Sequence, residues 1–219
     1  PWESPMAKGL NLKIFSAIKE SADEHNESIS EPCPMAIRNS AKTTGEPYGG
    51  RRNIHITAIA PTMSISSLCD VTSSGIEPLV ANAFTKKVKQ GSFAITNKYL
   101  DKVIRSEAEH SFMTGYGETD RVFWQQEQWA SIKKANGSVQ HLDWMDADTK
   151  AVFKTAFEID QRWVVELAGD RQPFIDQSQS VNLFVAGGSN VQYISDLHIL
   201  AWKKKLKSLY YLRSTAINQ

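Results

Sequence analysis

Asn53-Ile54-His55-Ile56-Thr57-Ala58-Ile59-Ala60-Pro61-Thr62-Met63-Ser64-Ile65-Ser66-Ser67 joins two kinds of local sequence. Up to Ala60 the residues are β-branched and mostly apolar, which is a strand pattern, and Pro61 ends it. From Pro61 to Gly75 the chain is rich in Ser and Thr and is expected to hold one short helical turn. A strand that opens through a turn into a helix start points several backbone N–H groups to one side, and Thr and Ser hydroxyls add further donors. Phosphate oxygens need such a converging set. Backbone donors are indifferent to side-chain type, so Met63 and Ile65 serve as well as Thr62 and Ser64. The same residues also suit an ordinary polar loop with a Ser or Thr N-cap.

Outward from this stretch, strands alternate with helices. Leu10, Ile14, Phe15, Ile18 and Ala22 recur at helical spacing over Leu10 to about Ser30, and Pro32 and Pro34 end that helix. Thr43 to Gly50 is a turn-rich connection. Gly91–Ile95 is a candidate strand, followed by helices near 97–110 and 120–135, with Gly137 closing the second. Asp146 or Asp148 is expected to cap one long helix reaching about Leu167. Its apolar stripe of Val152, Phe153, Ala156, Phe157, Trp163, Val164 and Leu167 is interrupted only by Asp160. Val181–Val185 reads as a strand, Ser189 or Asn190 caps a helix to about Leu206, and Ser208–Arg213 is a last strand. The pattern predicts βα units and a mainly parallel sheet, within one domain or part of one. Spacing alone does not say whether that sheet is open or closed.

Composition narrows the function classes. The 219 residues are 41% hydrophobic and 22% charged, as in an ordinary globular domain, and no run approaches a membrane span. A formal net charge of +1 argues against a nucleic acid partner. Lys203, Lys204, Lys205 and Lys207 are read as a solvated helix face. Cys33 and Cys69 are too few and too far apart for a redox pair or a zinc site, so both are expected to be free, buried and small in a reducing cytoplasm. The chain starts at Pro1 and stops at Gln219 without an initiator Met or a signal sequence, which reads as a piece of a longer protein.

Four ordered blocks carry a resemblance. They are Gly50-Arg51-Arg52-Asn53 with Thr57-Ala58 and Pro61-Thr62-Met63-Ser64-Ile65-Ser66; Thr72-Ser73-Ser74-Gly75-Ile76-Glu77-Pro78; Phe174-Ile175-Asp176-Gln177-Ser178-Gln179-Ser180; and Leu206-Lys207-Ser208-Leu209-Tyr210-Tyr211. Together they resemble the large, catalytic subunit of class I ribonucleotide reductases over nearly the whole chain. Arg51 departs from the aliphatic residue usual at its position, a local variation. The resemblance implies an α/β fold, part (the second half) of a ten-stranded barrel made of two parallel half-barrels. It also implies radical reduction of ribonucleoside diphosphates to deoxyribonucleotides for DNA replication, with Thr62, Met63, Ser64 and Ile65 on the substrate diphosphate.

By the same resemblance, Tyr211 receives a radical at the boundary with a metal-containing small subunit, and Tyr210 passes it inward to a catalytic cysteine. As adjacent strand residues the two tyrosines are expected on opposite faces, a relay through the barrel wall. Read without the resemblance, they are aromatic packing. The implied partners are the small subunit, a second large subunit in a homodimer, and thioredoxin or glutaredoxin. The helix at about 190–206 falls in the region that helps dock the small subunit's C-terminal tail in relatives. No cofactor or metal is expected on this chain. The family's radical cysteine, its reducing cysteine pair, its Asn and Glu and its ATP and dATP effector sites lie before Pro1 in relatives, and its tail cysteines beyond Gln219. The chain is thus expected to be inactive alone, unstable or aggregation-prone, with Cys33 and Cys69 outside the chemistry and Glu77 a structural carboxylate paired to backbone N–H groups. Two rival readings are a split, non-catalytic subunit that binds substrate and partner, and an unrelated phosphate-binding α/β enzyme.

Overall fold

The computed structural model describes residues 1–27, 55, 57–69, 73–88, 91–111 and 117–215. They fall into two compact units, one of residues 1–2 and 63–159, the other of residues 3–62 and 160–219.

The first unit opens with α2 (Met63–Leu68), the one short helical turn expected after Pro61. A hairpin follows, with β1 (Ala83–Val88) antiparallel to β2 (Gly91–Thr96) in the register Phe84↔Ile95. The expected strand at Gly91–Ile95 is β2. Its partner was not anticipated, and it makes this sheet antiparallel where a mainly parallel one was expected. Next come α3 (Lys98–Ser111) and α4 (Glu118–Lys134). Leu100 and Ile104 of α3 and Ile132 of α4 are fully buried with Val139, Leu142 and Met145. Gly137 ends α4 at φ 85°, its N–H donating to the Ile132 carbonyl at 2.8 Å. An added Cβ there would lie 2.8 Å from both Ala81 Cα and Asn82 N, so glycine is required for its small size and its backbone conformation alike.

Asn82 is the polar hub of this unit. Buried, it donates from Nδ2 to the carbonyls of Gly137 (3.0 Å) and Phe153 (2.7 Å), and its Oδ1 accepts from Asn97 Nδ2 at 2.9 Å. Asn97 in turn caps α3 by accepting the Tyr99 N–H.

The long helix expected from Asp146 to about Leu167 is two helices. Asp146 does cap a helix, through the N–H and hydroxyl of Thr149 at 2.8 and 2.6 Å, but that helix, α5 (Ala147–Val152), stops after six residues. Residues 153–159 run in turns, with the Thr155 N–H on the Glu158 carboxylate and the Ala156 N–H on the Leu79 carbonyl. Asp160, the one break in the apolar stripe, starts the next helix. A short carboxylate competes for backbone N–H groups and so favours a cap over a helix interior.

The second unit contains α1 (Pro5–Glu27), with Pro5 in its first turn and the Ser4 hydroxyl accepting the Ala7 N–H. The expected helix thus begins earlier than Leu10; its expected end near Ser30 lies outside the described residues, as do the turn-rich Thr43–Gly50, Arg51 and Cys33. Phe15 is buried, whereas Met6, Leu10, Ile14 and Ile18 form an exposed stripe four residues apart. α6 (Gln161–Arg171) runs into a single 3-10 turn, Gln172–Phe174. β3 (Leu183–Val185), α7 (Val191–Lys203) and β4 (Leu212–Ser214) then form a βαβ unit whose two strands are parallel. Of the two proposed caps Asn190 serves α7, its Oδ1 accepting the Gln192 N–H at 2.8 Å. Val164, Val165, Ala168, Val181, Leu183, Leu197 and Ala201 pack into one buried cluster.

In the expected strand 53–60, the described residues pair without forming a regular ladder. Ile59 bridges Gln179 in parallel, and the Gln177 N–H reaches the Thr57 carbonyl at 3.1 Å. Asn53, Ile54 and Ile56 lie outside the described residues.

Candidate functional site: the Pro61 loop and the tyrosine pair

The segment leading into Pro61 is clamped from behind. Ile59 donates to the Ser178 carbonyl and accepts from the Ser180 N–H, and the Thr57 hydroxyl donates to the Phe174 carbonyl while accepting the Asp176 N–H. Gln179 anchors the segment Ser178–Ser180. Buried, it donates from Nε2 to the Ala168 carbonyl and to Gln172 Oε1, each at 2.9 Å, and accepts from Arg171 Nε at 2.6 Å. Arg171 is itself buried, and burial pushes its guanidinium down to about 10, with the charge of Asp170 opposing. A buried cation held by neutral amides is costly unless its donors are satisfied. The block Phe174–Ser180 therefore acts on Thr57–Ile59 through its backbone, and this fixes where the chain emerges at Pro61.

Thr62 has φ 48°, a left-handed conformation that a β-branched residue rarely adopts. It is the residue immediately before α2. In α2, Met63 and Ile65 are 66% and 61% exposed and Ser64 is exposed. Ser66 is buried, and its hydroxyl donates back to the Met63 carbonyl. Of the four residues expected to hold a diphosphate, Thr62 is the last of its stretch in the second unit and is half-buried, while Met63, Ser64 and Ile65 open α2 in the first unit and are exposed.

Glu77 lies downstream of this loop, where the Ser74 hydroxyl donates to its carboxylate and the Ser73 hydroxyl to its carbonyl. Cys69, expected to be buried, is exposed just past the end of α2 as a free thiol. That helix is too short to carry it into a core.

The tyrosine pair departs from the sequence expectation. Tyr210 and Tyr211 do not point to opposite faces: their ring centroids are 4.0 Å apart, inclined at 46°. The cause is a slip in the ladder. With Leu183 opposite Leu212, an even parallel ladder gives the Val181 carbonyl the Tyr211 N–H. Here the Tyr210 N–H takes it instead at 2.8 Å, while the Leu183 N–H keeps the Tyr211 carbonyl at 2.9 Å. The Tyr211 N–H turns to the side-chain oxygen of Asn182 at 3.1 Å. The regular strand begins only at Leu212, later than the Ser208 start expected from the sequence. Such a slip breaks the two-residue alternation of side chains, so neighbours end on one side.

Both phenols are half exposed. A hydrogen bond to Tyr211 raises Tyr210 above the usual phenol range, with the Tyr211 charge adding to it and Arg213 opposing. The Arg213 guanidinium lies 5.4 Å from the Tyr211 ring centroid. The lysine cluster is less free than expected, since Lys204 pairs with Glu166 and the Lys207 ammonium donates to the Asp176 carbonyl. Asn182 was not singled out from the sequence, although one polar residue inside the apolar run Val181–Val185 is a readable sign.

Among the described residues no group of three or more His, Cys, Asp or Glu side chains is placed to hold a metal, and no helix is long and apolar enough to cross a membrane.

A parallel βαβ unit with a tyrosine pair just before its second strand belongs to an α/β architecture. The family described as "Ribonucleotide reductase, barrel domain" matches residues 2–212. The large subunit of ribonucleoside-diphosphate reductase from Invertebrate iridescent virus 6 is 36% identical over 218 residues, 99% of this chain and 21% of that protein. The alpha subunit from Chlamydia pneumoniae is 33% identical over 207 residues, 94% of this chain and 18% of that protein. Among solved structures, the class Id ribonucleotide reductase alpha subunit of Actinobacillus ureae superposes with a TM-score of 0.71 at 30% identity, over 98% of this chain and 35% of that one. The chain belongs to the ribonucleotide reductase barrel-domain family, and its fold is part of that α/β barrel. It spans about a fifth of the length of the viral relative.

Proposed function

We propose that this chain serves the radical reduction of ribonucleoside diphosphates to deoxyribonucleotides, as the second-half barrel segment of a reductase large subunit in the cytoplasm. The observation that carries this reading is the contact between Tyr210 and Tyr211, 4.0 Å between centroids, in a chain whose family match spans both. A phenol is neutral at pH 7 and gives up an electron readily only when its proton leaves with it. Two phenols in contact can therefore exchange one electron and one proton in a single short step. Tyr211 is oxidised by the radical arriving from a small, metal-containing partner subunit. It is re-reduced as Tyr210 gives it an electron and a proton, and Tyr210 is then restored by a thiol outside this chain.

The loop from Thr62 to Ile65 takes the substrate diphosphate, with its backbone N–H groups and the Thr62 and Ser64 hydroxyls as donors. The left-handed backbone of Thr62 and the helix start at Met63 support this role, since each is a local feature that offers backbone donors. The homodimer, the small subunit, thioredoxin or glutaredoxin, and ATP or dATP control belong to the whole enzyme in this reading.

The test is reconstitution. The chain is set between the preceding barrel and the C-terminal tail of a close relative and assayed for nucleoside diphosphate reduction with that relative's small subunit. The rebuilt subunit reduces substrate, while the chain alone does not. A rebuilt subunit that folds and binds its partner yet reduces nothing overturns the reading.

A further inference from the structure

The ladder slip at Tyr210–Tyr211 needs a group to hold it. A backbone N–H turned away from its strand partner and buried without an acceptor is costly, and the chain would relieve that cost by returning to the even ladder. In the even ladder the Val181 carbonyl takes the Tyr211 N–H, the alternation of side chains is restored, and the two phenols separate to opposite faces. What prevents this is Asn182. Its side chain is buried, 5% exposed, and its Oδ1 accepts the Tyr211 N–H at 3.1 Å. The next residue, Leu183, is fixed by its own bond to the Tyr211 carbonyl, so Asn182 grips the tyrosine segment from the position immediately before β3.

An amide suits this position better than the alternatives. Its oxygen stands two carbons from the backbone, far enough to cross to the neighbouring strand, and it carries no charge that would need a buried counter-ion. An apolar residue in the run Val181–Val185 would pack as well and hold nothing.

We propose that Asn182 is a positioning residue for radical transfer: it holds the register break that places the Tyr210 and Tyr211 rings in contact. The inference rests on the reading of the tyrosine pair as a relay. Asn182 touches neither substrate nor radical, and it acts through the backbone of Tyr211. Electron and proton exchange between phenols depends steeply on their separation, so loss of the slip slows turnover without changing how substrate binds.

The experiment uses the rebuilt full-length subunit with its small-subunit partner. Asn182→Leu keeps the volume and removes the acceptor. Asn182→Thr suits a strand and stays polar, but draws its oxygen back by one bond. Asn182→Asp returns an acceptor to the same place. Leu and Thr are expected to lower kcat by on the order of tenfold to a hundredfold with the KM for the diphosphate unchanged. Asp restores the acceptor but buries a charge, so it is expected to return the Tyr211 N–H to the side chain of residue 182, with only part of kcat regained. In the Leu and Thr variants the Tyr211 amide loses its present partner and takes the Val181 carbonyl, which shows as an altered amide exchange rate and chemical shift at Tyr211 while the Leu183 amide keeps its protection. Wild-type kcat in a folded Leu or Thr variant overturns the proposal, and so does a Tyr211 amide that Asp fails to restore to its wild-type protection or a rise in KM equal to the fall in kcat. Tyr210→Phe in the same subunit separates the two readings. If Tyr210→Phe retains turnover, the relay itself is wrong. If Tyr210→Phe is inactive and Asn182→Thr is fully active, only the positioning role is wrong.

Discussion

The hydroxyl of Tyr193 donates to the carboxylate of Asp160 at 3.0 Å and accepts the N–H of Gln161 at the same distance, so α7 closes the N-terminus of α6. Asp160 also accepts the Arg162 N–H and the Arg162 guanidinium. Burial pushes this carboxyl up, but the hydrogen bonds from Arg162 and Tyr193 and the charge of Arg162 outweigh it, leaving the group below its ordinary value of 3.8. A carboxyl lowered by folding stabilises the fold above its unfolded value, and that contribution is lost as pH falls through the folded one.

Asp160→Ala is therefore expected to cost about 1 kcal/mol at neutral pH, the usual loss for a helix cap. Asp160→Asn keeps a capping oxygen and removes the titrating group. It should flatten the fall in stability below about pH 4, the unfolded carboxylate range. Thermal unfolding against pH reads both. An acid limb unchanged in Asp160→Asn would show that this carboxylate is not what titrates.

Gly137→Ala is expected to destabilise the first unit by about 1–3 kcal/mol, from a left-handed backbone combined with a Cβ pressed on Ala81 and Asn82. Asn82→Leu should cost a similar 1–3 kcal/mol for each buried partner left unpaired, here the Phe153 carbonyl and the Asn97 amide, while the Gly137 carbonyl keeps the backbone N–H of residue 82. Because both changes strike the same corner, their combined cost should fall short of the sum. Chemical denaturation of the two single variants and the double variant checks this, and full additivity would mean that the corner is not one unit.

Thr62→Gly removes the strain of a β-branched residue at φ 48°. The expected result is unchanged or slightly higher stability, by up to about 1 kcal/mol, because relief of strain is partly offset by glycine's freedom in the unfolded chain. In the rebuilt subunit it raises the KM for the diphosphate, since a donor hydroxyl is lost and the turn is no longer held. A variant that is more stable with KM unchanged would remove Thr62 from the phosphate loop.

The stripe of Met6, Leu10, Ile14 and Ile18 is 80%, 58%, 46% and 42% exposed, and Trp202 on α7 is 77% exposed. Apolar faces of this kind are covered in stable proteins. The chain alone should bind a hydrophobic dye and self-associate at micromolar concentration. Leu10→Glu with Ile14→Lys should reduce both effects without loss of helix. Light scattering and dye fluorescence read the outcome, and a monomer that ignores the dye would contradict it.

What could be read from the sequence follows from how local the cause is. α3, α4 and α7 were placed to within a few residues because periodicity and caps are local signals, and the stop at Gly137 and the cap at Asn190 were explicit in the residues. The break between α5 and α6 was misread because Asp160 sits in an apolar stripe that continues at helical spacing on both sides. Only its bonds to Tyr193 and Arg162, far and near in sequence, make it a cap. β1 was missed because Ala83-Phe84-Thr85-Lys86-Lys87 has no clean alternation and its pairing depends on β2. At the candidate site, the tyrosine pair and the Pro61 loop were visible as motifs. The contact between the rings was not, because it depends on one side chain, Asn182, taking an N–H that the ladder would normally claim.

The most direct test of the account is Tyr210→Phe in the rebuilt subunit, assayed with its small-subunit partner for nucleoside diphosphate reduction and, separately, for substrate binding. Phenylalanine keeps the ring beside Tyr211 and removes the proton-linked redox group. Turnover should be lost while substrate affinity stays at the wild-type value. Retained turnover would contradict the relay and return the 4.0 Å contact between Tyr210 and Tyr211 to ordinary aromatic packing.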